Sequence, residues 1–229
     1  MGLRTFWGTL VTPPRRNLGG LLPLPTELVS GVVTDAADRS AGVEYLVLPD
    51  VSTLNPHNRL FGIVRTAHVE KSQDRDENLA GGLRFFSGLQ GDEILFVHNQ
   101  NSFAYFGEMM ARLGASSGVG GAVVLGLSRD SHRVSTHSFP LASRGTTPVD
   151  IKGRGRVGNF DAPVVFGDFA VETGDLVFSD SDGTVVLKTP SQETFLRHLR
   201  EEIAKEIRLA SDLESGKTVE QILAKYDGF

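Results

Sequence analysis

Two wholly apolar runs, residues 94–97 in "DEILFVHN" and 122–127 in "GAVVLGLSRD", constrain this chain more than any other feature. Neither alternates polar with apolar, so each reads as a strand buried on both faces. Between them "SFAYFGEMMARLG" carries helical spacing, with Gly114 where a C′ glycine belongs, and "SSGVGG" makes a turn. Strand, helix and strand over residues 93–127 make a parallel βαβ crossover. Both strands then end at one edge of the sheet, where an α/β fold binds its ligands.

The neighbouring segments extend this layer. "LPTELVSGVVTDAADR" predicts a first helix capped by Thr26. "EYLVLPD" predicts a short strand ended by Pro49, "RLFGIVRTAHVE" a longer one, "HVEKSQDRDENLA" a polar loop and "NLAGGLRFFSGL" a short helix. After residue 160 the pattern changes to strand and turn in "APVVFGDFAVETGDLVFSDSDGTVVLK", with Asp182-Gly183 marking a hairpin. "TPSQ" at 189–192 reads as a capping box with Pro190 in the first turn, and Leu196, Leu199, Ile203, Ile207 and Ala210 form one apolar stripe after it. "TVEQ" at 218–221 opens a last helix that Asp227-Gly228 closes. This tail either packs on a neighbouring subunit or folds back on its own core. With no linker-like stretch and no internal repeat, the expectation is one α/β domain over residues 1–190 with a helical extension over 191–229.

Composition removes several function classes. Lys and Arg number 23 against 28 Asp and Glu, a formal net charge of −5, so the basic field of a nucleic-acid binder is missing. There is no cysteine, which excludes disulfides, thiolate metal sites and a cysteine nucleophile, and fits a reducing compartment. No apolar run approaches the roughly 18 residues of a membrane span, and "PPRR" after an aromatic start lacks the order of a signal peptide. The expectation is a cytoplasmic protein without membrane or nucleic-acid partners.

Several motifs carry no chemistry. "GRGRVG" at 153–158 matches G-x-G-x-x-G, but "NFDAPVV" follows it where a dinucleotide site needs a helix, so it reads as a flexible turn. His132 and His137 flank a Ser/Thr stretch with no third ligand at a recognised spacing and read as loop residues. Lys71, Lys152, Lys188, Lys205, Lys217 and Lys225 all read as lying beside turns, in loops or on polar helix faces, which speaks against a Schiff-base aldolase. No G-x-S-x-G occurs. His98, at the end of "ILFV" and followed by "NQNS", is a candidate substrate contact or a residue of a strand-to-helix loop.

The strand ends at Arg129-Asp130 and the helix start at Gly107-Glu108 are different. The crossover brings them together, and adjacent opposite charges at a strand exit are costly to bury unless something holds them. A guanidinium beside the free N–H groups of Glu108, Met109 and Met110 suits a carboxylate. Asp130 and Glu108 suit a hard divalent cation that keeps several waters. The plain alternative is a structural Arg129–Asp130 pair tying two loops together.

With these residues in view, the chain resembles the RraA-like family, which includes 4-hydroxy-4-methyl-2-oxoglutarate aldolases and regulators of ribonuclease E activity. The family's aldolase signature is an acidic residue, twenty residues, Arg-Asp, two residues and a second acidic residue. Here Glu108, twenty residues and Arg129-Asp130 match it. "VVTDAADRS", "GDEILFV", "GEMMARLG", "PVVFGDFAVETGDLVFSDSDGTVVL" and the tail "EIRLASDLESGKT" resemble further family segments in order. Two positions depart: "FVHNQNS" stands where "VVDGGGS" is common, and Arg133 stands where the closing acidic residue belongs.

The resemblance implies an α/β sandwich of the swivelling β/β/α type, assembled as trimers or hexamers with sites between subunits. It implies a lyase that uses Mg²⁺ or Mn²⁺ to break a C–C bond of a 2-oxo acid through a pyruvate enolate, by retro-aldol cleavage or by decarboxylation of oxaloacetate. Asp130 would hold the metal and Glu108 would hold it through water. Arg129 would stabilise the enolate, and the N–H groups after Gly107, at Met109 and Met110, would bind the carboxylate. Arg133 would reach a distal anion of the substrate, and His98 would lie on the pocket floor. The ribonuclease-regulator branch implies a second reading, a non-catalytic protein-binding module, and "HNQN" prompts a third, a different enolate enzyme on the same site.

Overall fold

The computed structural model describes residues 18, 21, 23–73, 80–189 and 191–226. Its elements run, in chain order, α1 (Ser30–Asp38), β1 (Glu44–Leu48), β2 (Ser52–Thr53), β3 (Leu60–Lys71), α2 (Ala80–Ser87), β4 (Glu93–His98), α3 (Glu108–Ser117), β5 (Gly121–Ser128) and α4 (Ser131–Val134). They continue with β6 (Leu141–Thr146), β7 (Gly155–Gly158), β8 (Val164–Phe166), β9 (Phe169–Val171), β10 (Leu176–Ser179), β11 (Thr184–Lys188), α5 (Gln192–Glu214) and α6 (Val219–Lys225).

The main sheet has the order β1-β11-β10-β3-β4-β5-β6-β2, with β7 also on β3. The three pairings β3–β4, β4–β5 and β5–β6 are parallel, as the apolar runs require, and the hairpin-rich half adds its strands antiparallel. Strand residues alternate between two cores. Phe61, Ile63, Ala67, Leu95, Val97, Ala122 and Val124 face the helices, where Phe86 and Ala111 of α2 and α3 and Val33 and Leu199 of α1 and α5 meet them. Leu60, Val64, Ile94, Phe96, Val123 and Leu125 face the other way, under the β8–β9 hairpin through Val164 and Val171. Helices on one face and a β-layer on the other give the sandwich that the resemblance implies.

Several element ends differ from the sequence reading, each for a reason outside the local window. Thr26 lies in a turn, not at a cap. Helix α1 instead begins at Ser30, whose N–H donates to Asp180 Oδ2 at 2.8 Å, 150 residues away. Residues 103–106 are not helical but alternate bends with isolated bridges: Ala104 N–H donates to Val149 O (2.8 Å), and Phe106 O accepts from Arg129 N–H (2.9 Å). Helix α3 runs through Gly114 to a left-handed cap at Gly118. Gly114 is glycine because a Cβ there would run into the rings of Phe139 and Phe86. "GRGRVG" is no flexible turn: its end forms β7 against β3, and no helix follows it. Lys71 and Lys188 end strands, contrary to their reading as loop or turn residues. Lys188 is ion-paired with Glu172 (2.8 Å) and Asp175 (3.5 Å). Although burial opposes it, the hydrogen bond it donates to Glu172 and these charges raise its pKa, the opposite of what a Schiff-base lysine needs.

The cap of α5 is Ser191, which accepts from Thr194 N–H, rather than Thr189, and the reading of Pro190 lies outside the described residues. The apolar stripe is buried through Leu196, Leu199 and Ile203, and Arg39 of α1's C-cap holds the buried Glu202. Beyond that point Ile207 and Ala210 are exposed, and Leu209 turns to Ile222 and Tyr226 instead. Thr218 and Gln221 form the expected capping box of α6; the closure at Asp227-Gly228 lies outside the described residues.

Candidate active site

The parallel crossover delivers the start of α3 to the end of β5. Gly107 is extended and has no side chain with which to satisfy the first N–H groups of α3. Glu108 N–H donates to Asp130 Oδ2 at 3.3 Å. A Cβ on Gly107 would sit 2.7 Å from Asp130 Oδ2 and 2.8 Å from Arg129 Cγ, so only glycine lets the two segments approach this closely.

Asp130 itself occupies the left-handed region, with φ at 56°. Aspartate tolerates this conformation better than most residues, and such outliers gather at functional sites. The bend aims its carboxylate back at α3. Arg129 Nε lies 3.5 Å from Asp130 Oδ2, and its Nη1 lies 3.3 Å from Asp150 Oδ2. Both contacts are long for charge-assisted hydrogen bonds. About a third of each of these three side chains faces solvent, at 34%, 38% and 37%. The guanidinium thus keeps donor capacity for a ligand.

Glu108 is placed differently from the sequence reading. Its Oε1 is gripped by Arg112 at 2.9–3.0 Å, one helical turn on, and its Oε2 by Arg133 at 3.2 Å; His137 Nε2 stands 3.8 Å away. The hydrogen bond from Arg112, joined by the charge of Arg133, holds this carboxyl below the ordinary glutamate range against the opposing effect of desolvation. Arg133 thus pairs with Glu108 through one nitrogen, while 70% of its side chain remains exposed. Of the two carboxylates assigned to a metal, only Asp130 is left with its named contacts on a single oxygen. Among the described residues no group of three or more His, Cys, Asp or Glu side chains surrounds a metal position. His132 is exposed on α4 and shares nothing with His137.

His98 is not brought to this cluster. It alternates with Val97 and so shares the sheet face of Ile94 and Phe96, opposite α3, and its ring meets His68. Met110 is partly buried against the helix-side core, and Met109 is 72% exposed, so these two residues offer the site backbone rather than side chains. Sequence reasoning missed Arg112 and Asp150, and read His137 only as a loop residue, not as a neighbour of Glu108. The i,i+4 spacing from Glu108 could have found Arg112; no local signal marks the other two.

A family model described as RraA-like, Aldolase/RraA, matches residues 31–186. A curated relative from Halorhodospira halophila, named "Putative 4-hydroxy-4-methyl-2-oxoglutarate aldolase", is 32% identical over 83 residues, 36% of this chain and 50% of the relative. The chain spans about half the length of the curated relatives it matches first. Among solved structures, an uncharacterized protein from Pseudomonas syringae pv. tomato superposes with a TM-score of 0.71 at 24% identity, over 85% of this chain and 92% of that one. The RNA-processing inhibitor RraA from Thermus thermophilis superposes with a TM-score of 0.54 at 26% identity, over 69% of this chain and 94% of that one.

Proposed function

The chain belongs to the RraA-like family, and from that premise we propose that it is a divalent-metal-dependent lyase that cleaves a C–C bond of a 2-oxo acid. The observation that carries the reading is the convergence of Arg129, Asp130 and the uncapped start of α3 on one solvent-facing point. The donor set fits Mg²⁺ or Mn²⁺ held through the Asp130 carboxylate, with substrate and water completing the shell. It does not fit a cage built from protein ligands alone. When bound, the ion supplies Lewis-acid polarisation of the ketone.

The chain's own residues do the rest. N–H groups of Met109 and Met110 bind the substrate carboxylate at the positive end of α3. Arg129 donates to the pyruvyl oxygens, the ketone and one carboxylate oxygen, and stabilises the negative charge that collects on the ketone as the bond beyond the α-carbon breaks. Retro-aldol cleavage, in which water held beside Glu108 would take the proton of the 4-hydroxyl as it becomes a carbonyl, and decarboxylation of oxaloacetate, which releases CO₂, leave the same pyruvate enolate, so one site serves both. Arg112 and Arg133 position Glu108 beside the helix start and keep it ionised. The family resemblance and the exposed Ile207 and Leu213 beyond the packed half of α5 support a homotrimer or hexamer; light scattering reporting a monomer at micromolar concentration would remove the intersubunit part of this reading.

The test is pyruvate release from a panel of branched 4-hydroxy-2-oxo acids and oxaloacetate, with and without Mg²⁺. Metal-dependent release is expected for at least one of them. A second reading, a non-catalytic protein-binding module, is favoured by the double arginine clamp on Glu108. Absence of turnover across the panel, at saturating Mg²⁺, would decide for it.

A further inference from the structure

A second polar cluster lies on the sheet face away from α3, where His68 and His98 are in-register partners in the last pair of the parallel β3–β4 ladder. Their rings are perpendicular, with centroids 5.3 Å apart, and their Nδ1 atoms are 3.3 Å apart. We propose that this pair is a two-imidazole chelate for a late first-row transition ion, with Zn²⁺ as the first ion to try.

The spacing is that of two ligands on one ion: metal–nitrogen bonds of about 2.0–2.1 Å at a tetrahedral angle hold two nitrogens about 3.3–3.4 Å apart. His68 Nε2 lies 3.2 Å from the carbonyl oxygen of Ala162. A carbonyl only accepts, so in the neutral ring a proton on Nε2 satisfies it and leaves the Nδ1 lone pair directed toward His98. This is how a backbone carbonyl orients a metal-bound histidine. Both rings are half-buried, so an ion can reach them. Arg144, a cation near the pair, is itself ion-paired with Asp50 at 2.6 Å.

No third protein ligand joins the pair among the described residues, so water fills the other positions and the ion exchanges. Imidazole nitrogens select Zn²⁺, Ni²⁺ or Cu²⁺ over Mg²⁺, which makes this site chemically separate from the oxygen donors around Asp130. It stands whether or not the lyase reading does.

Titration calorimetry of metal-free protein with Zn²⁺ tests it. Wild type and the Asp130→Ala variant are expected to take up one ion per chain, without competition from Mg²⁺. His68→Ala and His98→Ala are each expected to lose that binding. No Zn²⁺ uptake by wild type, or uptake that survives in both histidine variants, overturns the proposal. Should either variant misfold, ¹⁵N NMR of wild type replaces it. The Nδ1 resonances of both rings are expected to shift on Zn²⁺ addition, and a direct N–H···N bond persisting at saturating Zn²⁺ overturns the chelate.

Discussion

Arg65 and Arg129 lie on the same sheet, in β3 and just past β5, and each faces two carboxylates. Arg65 is closed. Its Nε and Nη2 bind both oxygens of Asp161 at 2.8 and 3.0 Å, its Nη1 binds Glu93 at 2.8 Å, and its guanidinium carbon stands 5.1 Å from the Phe85 ring centre. Only 8% of the side chain is exposed. Arg129 makes contacts of 3.3 and 3.5 Å and leaves 34% of its side chain open. The two clusters share residue types, so charge pairing alone says nothing of role. Saturated short bonds under a hydrophobic cover make an ion cluster a part of the fold; long, partial bonds at a strand exit leave it free to bind.

The largest expected effect breaks the closed cluster. Arg65→Met leaves Asp161 and Glu93 without their cation and is expected to cost about 3–5 kcal/mol in denaturant unfolding. Arg129→Ala is expected to stay within about 1 kcal/mol of wild type. Equal costs would erase the distinction between the clusters.

Next, Arg129→Lys is expected to unfold like wild type but to lower kcat on a cleavable 2-oxo acid about a hundredfold, or roughly 3 kcal/mol, because lysine cannot grip two oxygens. A lysine variant that turns over normally would make Arg129 structural. Gly107→Ala is a milder probe of the same site. Its new Cβ displaces the Asp130 and Arg129 side chains, which can move, so we expect about a tenfold loss in kcat/KM, near 1.4 kcal/mol, with an unchanged Tm. A large fall in Tm would instead show that the open cluster is packed as tightly as the closed one.

The smallest effect concerns Glu108. Its folded pKa is depressed, first by the hydrogen bond from Arg112. Its contribution to stability is therefore complete above the ordinary glutamate value of the unfolded chain, and is lost as pH falls through the lower folded value. NMR titration of its side-chain carboxyl should show the pKa rising toward the ordinary value in Arg133→Ala, and rising further in Arg112→Ala. If neither variant moves it, the clamp on Glu108 is not its electrostatic environment.

The closed cluster was invisible in the sequence. Asp161 meets Arg65 from 96 residues away in a left-handed turn, and nothing near either residue announces the pair. The open cluster was half legible. Arg129, Asp130 and Gly107 stand at the ends of elements whose order could be read, whereas Asp150 and His137 arrive from other loops.

What the sequence determined by itself is whatever a few neighbouring residues settle. Two-sided apolar runs made buried parallel strands, Asp182-Gly183 turned a hairpin, and Thr218 with Gln221 capped a helix. The tertiary structure alone decided the rest. It bridged residues 103–106 to Asp150 and Ser128, kept Gly114 inside a helix under Phe139, and capped α1 from Asp180. It also turned His98 to His68 and bound Glu108 to Arg133. Each of these rests on groups from distant parts of the chain, whose packing and hydrogen-bond energies outweigh the few tenths to about 1 kcal/mol by which local propensity prefers one conformation over another.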